Sequence, residues 1–201
     1  DISPQILCVF GKQIPRPDCI VNVKREVDSV FKSFGDDGSI SLQRKNSLVA
    51  RLGIANYFFS DLNSAMRKKN AKEIPYIDVN YAEDQTLGRD HLDAGWIKAY
   101  APLGSVYHSH NYPPKKYFYR KFDEVVGLYE ATGCLPPFSK KNAIKKGFVD
   151  TLLCWRYAIS DKSYSFKRKL KNIVLAPIYS FLLQLTFFYA RKTENHGKYI
   201  K

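Results

Sequence analysis

Two acids stand side by side at Glu83-Asp84, and two histidines flank Ser109 at positions 108 and 110. An acid pair at a helix start has two readings: it complements the positive end of the helix dipole, or it holds an acid–base group in a site. Residues two apart in a strand point to one side, so His108 and His110 share a side wherever the chain stays extended. They read equally as hydrogen-bonded structural groups. His91, seven residues after Asp84, could be drawn toward the pair, but it is expected to be solvated and is given no role.

The elements that would carry these groups follow from periodicity and punctuation. Ile6 to Phe10 is apolar and predicts a buried strand, left by a loop through Gly11 and Pro15-Arg-Pro-Asp18. Val23, Val27, Val30, Phe31 and Phe34 have helical spacing up to Gly35-Asp-Asp-Gly38. Tyr57-Phe-Phe59 predicts a strand or loop running into a short helix near Arg67-Lys-Lys69. Glu83 to Ala94 predicts a helix stopped at Gly95, and Trp96 to Tyr100 a short strand. After Pro113-Pro114, Tyr117, Phe118, Phe122, Val125, Val126 and Tyr129 line one face of a helix that ends at Gly133. Beyond Pro136-Pro137 the chain reads as helical and basic. No internal repeat or low-complexity tract is visible.

A chain of 201 residues with 45% hydrophobic and 14% aromatic content can bury a substantial core, which excludes a disordered polyelectrolyte. The net charge of +13 is unevenly spread. Residues 1–139 hold 18 Lys plus Arg against 16 Asp plus Glu, and residues 140–201 hold 14 against 3. Such a surplus attracts phosphates of nucleic acid or of lipid headgroups. The four cysteines, Cys8, Cys19, Cys134 and Cys154, form no CxxC pair and are expected to be reduced structural thiols. The chain opens on Asp1 with no signal peptide, as though in mid-domain.

The order of short motifs is more specific than any one of them. EDQTL, DAGW, AYAP and VYHSHNY follow one another within residues 82–112, preceded by VFGKQIPRPD and FFSDLNSAMRK and followed by YFYRKFDEVVG. Together, over roughly residues 8–130, they resemble bacterial family-2 glycosyltransferases on the acceptor side, and most closely the rhamnosyltransferase-like members. The resemblance implies an α/β fold, the second half of a glycosyltransferase A-type fold over residues 1–112, followed by a helical, basic C-terminal region over 113–201. It also implies inverting transfer of a sugar, with rhamnose one candidate, from a nucleotide sugar donor to a polysaccharide or lipid-linked saccharide acceptor. Asp84 would then be the base that takes the acceptor hydroxyl proton, with Glu83 orienting it, binding the acceptor or answering a cation. Ser60, Asp61, Asn63 and Arg67 fall where the family approaches the acceptor, with Gln13 and Arg16 as further lining candidates. Ser60 and Asn63 read equally as turn caps, and Arg67 to Lys69 as a wet face.

A leaving nucleoside diphosphate commonly needs a divalent metal, Mg or Mn, held by an Asp-x-Asp element. The chain has none; Asp61-Leu-Asn63 and Asp78-Val-Asn80 each lack the second acid. His108 is the candidate metal ligand. The donor-binding half is expected to precede Asp1 in a longer enzyme, so that residues 1–201 alone would be inactive. A non-catalytic saccharide-binding or membrane-surface module on the same fold is the alternative. The apolar stretch 173–190 is borderline as a bilayer span. Its basic flanks suit a helix lying on an anionic inner-membrane surface, which places the protein in the cytoplasm, peripheral at that membrane. Packing of that apolar face on the rest of the protein is the competing reading. No nucleic-acid motif is present, so nucleic acid is not an expected partner. The oligomeric state is not legible.

Overall fold

The computed structural model describes residues 3–35, 37–45, 57–79, 81–133 and 138–192. Asn80, Cys134 and the Pro136-Pro137 break fall outside them. The described residues form a mixed α/β protein: β1 (Ile6–Ile14), α1 (Val21–Lys32), β2 (Ser41–Gln43), β3 (Ser64–Met66), α2 (Lys68–Glu73), α3 (Glu83–Asp93), β4 (Ile97–Tyr107), α4 (Pro114–Thr132), α5 (Lys140–Ser160) and α6 (Phe166–Lys192). They divide into two compact units. The first is drawn from Asp1–Ile14, Ser29–Tyr107 and Gly127–Cys134, the second from Pro15–Asp28, His108–Val126 and Leu135–Lys201. Helices α1 and α4 contribute residues to both.

The first unit is built on a four-stranded sheet in the order β2-β4-β1-β3, with β1 and β4 parallel at the centre and antiparallel edges. Its core is aromatic. Phe10 of β1 lies 5.4 Å from Phe34 and 5.4 Å from Tyr100 of β4, and Phe34 lies 5.2 Å from Phe58, ring centre to ring centre. Tilted and edge-on pairs at this spacing each add to the area they bury.

Two strands run further than their sequences suggest. β1 does not stop at Gly11 but pairs with β4 as far as Ile14. Between Gly11 and Gln13 the partner register jumps from Ala101 to Val106, so β4 bulges out around Leu103 and Gly104. A Cβ on Gly11 would sit 1.9 Å from the Gly104 carbonyl oxygen, so this glycine serves close backbone approach rather than a turn. The expected loop from Gly11 is thereby corrected. β4 likewise runs past Tyr100 to Tyr107, and His108 and His110 lie beyond its end. In the segment read as strand or loop before a helix, Tyr57 to Ser60 is irregular, Asp61–Asn63 makes one 3-10 turn, and the strand is β3.

The helix stops follow expectation. Gly95 after α3 and Gly133 after α4 have φ of +85° and +70°, conformations that favour glycine. His91 corrects the sequence reading, because it is fully buried with its Nδ1 3.7 Å from Cys8 Sγ.

The second unit is helical. Ser139 Oγ accepts from the Asn142 amide at 3.2 Å and caps α5. α5 and α6 pack closely where Gly147 leaves room for the Phe181 ring. Pro177 inside α6 has no N–H for the Ile173 carbonyl one turn earlier. Trp155 Nε1 donates to that carbonyl at 2.8 Å instead, so α5 repairs the gap. α1 is held at its first turn by Asn172, whose Oδ1 accepts from Val21 N at 3.0 Å. Cys8, Cys19 and Cys154 are buried free thiols, and burial pushes Cys8 up to about 12.

Candidate active site

α3 begins at Glu83 because the chain turns sharply at Ala82. Ala82 is the one non-glycine among the described residues with positive φ, at 61°. A left-handed alanine costs about 1 kcal/mol or more and persists where its surroundings over-determine it. Thr86 Oγ1 donates to the Ala82 carbonyl at 3.0 Å, and Gln85 Nε2 donates to the Phe59 carbonyl at 2.6 Å. The first turn of α3 is thus tied to the segment that leads into Ser60 and Asp61.

Glu83 is exposed and Asp84 half-buried. Asp84 Oδ1 accepts from the Gln85 amide at 2.7 Å, a contact that favours the anion. Burial works against the anion and dominates, and the negative charges of Asp61 and Glu83 add to it. The result is a carboxyl raised to about 6. Tyr76, nearly half exposed, is raised to about 12 by burial and then by Asp61, Asp84 and Glu83. Asp61, Tyr76, Glu83 and Asp84 therefore share one electrostatic neighbourhood. A carboxylate with a pKa near 6 is ionised at neutral pH and is a stronger base than an ordinary aspartate.

The other candidates divide. Gln13 Nε2 donates to Ser60 Oγ at 2.8 Å, which joins the end of β1 to the segment before the 3-10 turn. Asn63 Nδ2 donates to the Gly104 carbonyl at 2.7 Å and pins the β4 bulge. Arg67 lies at the opposite end of β1 from Gln13, where Nε donates to the Ile6 carbonyl at 2.9 Å and Nη2 to the Ser3 carbonyl at 3.3 Å. Asp61 thus stands with Asp84, Gln13 stands with Ser60, and Arg67 is engaged with backbone elsewhere.

His108 and Arg16 belong to the second unit. The His108 ring stands edge-on to His110 at 4.7 Å, and His110 stacks on Tyr112 at 5.1 Å. Burial, then the neighbouring His110, lowers the His108 pKa. The Arg16 amide donates to Ser109 Oγ at 3.0 Å, and Asn111 Nδ2 donates to the Asp18 carbonyl at 3.0 Å. Among the described residues no three His, Cys, Asp or Glu side chains gather as a metal site. Mg and Mn favour oxygen donors. The described residues do not fit a complete site for either ion.

Tyr76 and Gln85 were not singled out in the sequence. Gln85 carries a signal, being next to the acid pair in a helix's first turn. Tyr76 carries none, since it lies in an irregular stretch outside the helix that carries the pair.

Part of the chain has counterparts among known proteins. The chain is 30% identical over 136 residues to the O-antigen chain rhamnosyltransferase RfbN of Salmonella typhimurium (strain LT2), covering 67% of this chain and 40% of that protein. It is 28% identical over 128 residues to the O-antigen chain rhamnosyltransferase WbaN of Salmonella anatum, covering 63% of this chain and 38% of that one. The chain is rhamnosyltransferase-like. This rhamnosyltransferase-like chain spans about two fifths of the length of these curated relatives. No protein-family model matches it, and no solved structure does.

Proposed function

We propose that the chain is the acceptor-side and C-terminal part of an inverting family-2 glycosyltransferase. It transfers a sugar, with rhamnose favoured by the names of its relatives, from a nucleotide sugar to a polysaccharide or lipid-linked saccharide such as a growing O-antigen chain. The parallel β1–β4 pair with antiparallel edges is compatible with the second half of a glycosyltransferase A-type fold over residues 1–112, with residues 113–201 as its helical C-terminal region. The observation that carries the reading is Asp84, half-buried at the start of α3 and raised to about 6 beside Asp61 and Glu83.

In this proposal Asp84 accepts the proton of the acceptor hydroxyl as its oxygen bonds to the anomeric carbon. The bond from that carbon to the nucleoside diphosphate breaks on the opposite face, and the leaving group takes the electron pair. Burial, with the charges of Asp61 and Glu83, keeps Asp84 basic, while Gln13, Ser60 and Tyr76 offer polar contacts to sugar hydroxyls. The donor pocket belongs to residues outside this chain. A divalent ion would supply charge to the leaving diphosphate there, and His108 would give it at most one ligand. The basic C-terminal region holds the enzyme peripherally at the cytoplasmic face of an anionic membrane.

Nucleotide release by the full-length enzyme, with acceptor present, tests this reading. Asp84→Asn is expected to lower turnover about 10²- to 10⁴-fold with the fold intact. Unchanged turnover removes Asp84 as the base. Absence of any transferase activity in the full-length wild type would favour a binding module on the same fold.

A further inference from the structure

Sequence alone places the membrane-contacting apolar surface on residues 173–190, but part of that stretch is turned inward. Tyr179, Ser180, Gln184, Thr186 and Ala190 are all buried. The exposed apolar surface extends beyond that stretch, and includes two rows of four-residue spacing. Ile144, Phe148 and Leu152 form one row on α5, and Leu170, Val174 and Ile178 the other on α6, each between 44 and 61% exposed.

The rows share one side of the α5–α6 hairpin. On α5 the groups that meet α1 are Asp150, paired with Arg25 at 2.7 Å, and Cys154, which packs on Val21. On α6 they are Asn172, Ala176 and Ser180, which bond Val21 and Asn22. Each of these lies two residues after a member of an exposed row, about 200° around the helix. Both rows therefore point away from α1. They are joined across the hairpin, where the Phe148 and Phe181 rings meet edge to face at 5.3 Å.

The charge bordering this face has one sign. Lys141, Lys145 and Arg156 follow the row on α5, Lys167 and Lys171 follow the row on α6, and all five are exposed. None has an acidic partner among the described residues. The acids of residues 138–192 are Asp150 and Asp161. Each is paired with α1, Asp150 with Arg25 and Asp161 with Lys24 at 2.5 Å. An apolar stripe rimmed by cations and cleared of anions complements a surface with apolar depth and negative headgroups. Among the described residues, α6 alone is long and apolar enough to cross a bilayer. Its polar groups Asn172 and Ser180 bond α1, which favours a hairpin lying in the interface over a span.

We propose that the outer face of the α5–α6 hairpin is the surface that docks on an anionic lipid bilayer, with both helices lying in the headgroup plane. The proposal rests on the peripheral-membrane part of the reading above and not on its transferase chemistry. Cosedimentation of the full 201-residue chain with phosphatidylglycerol–phosphatidylcholine vesicles tests it. Wild type is expected to bind, and to be released by salt or by vesicles of phosphatidylcholine alone. The double variant Leu152→Glu, Val174→Glu is expected to lose about tenfold or more in partitioning, and Lys141→Gln, Lys145→Gln about tenfold. Leu153→Glu, off the row and about 100° around α5 from Leu152, is expected to stay within about twofold. Far-ultraviolet circular dichroism checks that every variant is as helical as wild type.

Equal binding by wild type, the face variants and Leu153→Glu overturns the assignment of this face while leaving membrane association standing. Failure of wild type to bind any vesicle overturns the membrane reading itself, and this proposal with it. A wild-type dimer that Leu152→Glu, Val174→Glu splits, without vesicle binding, assigns the face to a second copy and overturns the proposal.

Discussion

The sheet core of the first unit and the α5–α6 hairpin of the second distribute polarity differently. The first buries large aromatic and aliphatic side chains, Phe10, Phe59, Tyr100, Leu87 and Leu92, around a sheet and presents acids, Asp61 and Glu83, at its surface. In the second, the α5–α6 hairpin buries many small and polar groups, Ala158, Ala176, Asn172, Ser180 and Thr186, beside the larger Tyr164 and Tyr179, and leaves Phe148, Leu152 and Val174 in the open. A tight apolar core holds a carboxylate in one place and shifts its pKa, which chemistry requires. A helical surface with apolar groups outward and cations around them suits contact with something else. On the proposed reading, chemistry and attachment fall to different kinds of packing.

The difference should show most strongly in how the units tolerate an added methyl. A Cβ on Gly11 meets backbone, 1.9 Å from the Gly104 oxygen, and also the Asn63 amide at 2.3 Å. Gly11→Ala must push the β4 bulge away, at an expected cost of about 3 kcal/mol or more in a urea melt. Gly147→Ala in the second unit meets only the Phe181 ring at 2.8 to 3.0 Å. That ring is half-exposed and can rotate, and alanine improves helix propensity by about 1 kcal/mol. Its net effect is expected to be about 1 kcal/mol or less. Similar costs at the two glycines would break the contrast in packing.

Asp84 tests whether the first unit holds its acid at a cost to stability. The carboxyl is raised from 3.8 to about 6, so the folded state keeps a proton that the unfolded chain releases between those values. Stability therefore falls as pH rises from about 4 to 6, and the penalty is fully present above. Asp84→Asn is expected to stabilise the chain by about 2 kcal/mol at pH 7.5, a gain that vanishes near pH 4. A gain independent of pH would assign the effect to something other than ionisation.

The sequence carried the site's near neighbours and missed its distant ones. Glu83-Asp84 at a helix start, the Gly95 stop and the buried face of α4 were all legible, because each depends on a local period or a local stop. Gly11 was misread because a glycine before a proline cluster looks like a turn until the partner strand that crowds it is known. His91 was misread as solvated although it follows Leu87 by four residues and precedes Leu92, the pattern of a buried face. Asp61 and Tyr76 raise and respond to Asp84 across 23 and 8 residues of chain, and nothing local encodes that meeting. The burial of Tyr179, Ser180, Gln184, Thr186 and Ala190 was hidden for another reason. Hydropathy counts apolar residues without saying which side of a helix another helix covers.

The smallest expected effect is the sharpest test of the second unit. Leu152 is 59% exposed on the outer row of α5, so in water it contributes little burial to lose. Leu152→Gln keeps helix propensity and side-chain length, and is expected to leave stability within about 0.5 kcal/mol. A loss of about 2 kcal/mol or more in the free chain would mean that Leu152 is covered by protein, through a neighbour or a second copy. The contrast between an inward-looking first unit and an outward-looking second would then fail at its most exposed point. A neutral result leaves the apolar row with no stabilising role of its own, so that its presence at the surface has to be explained by what it meets.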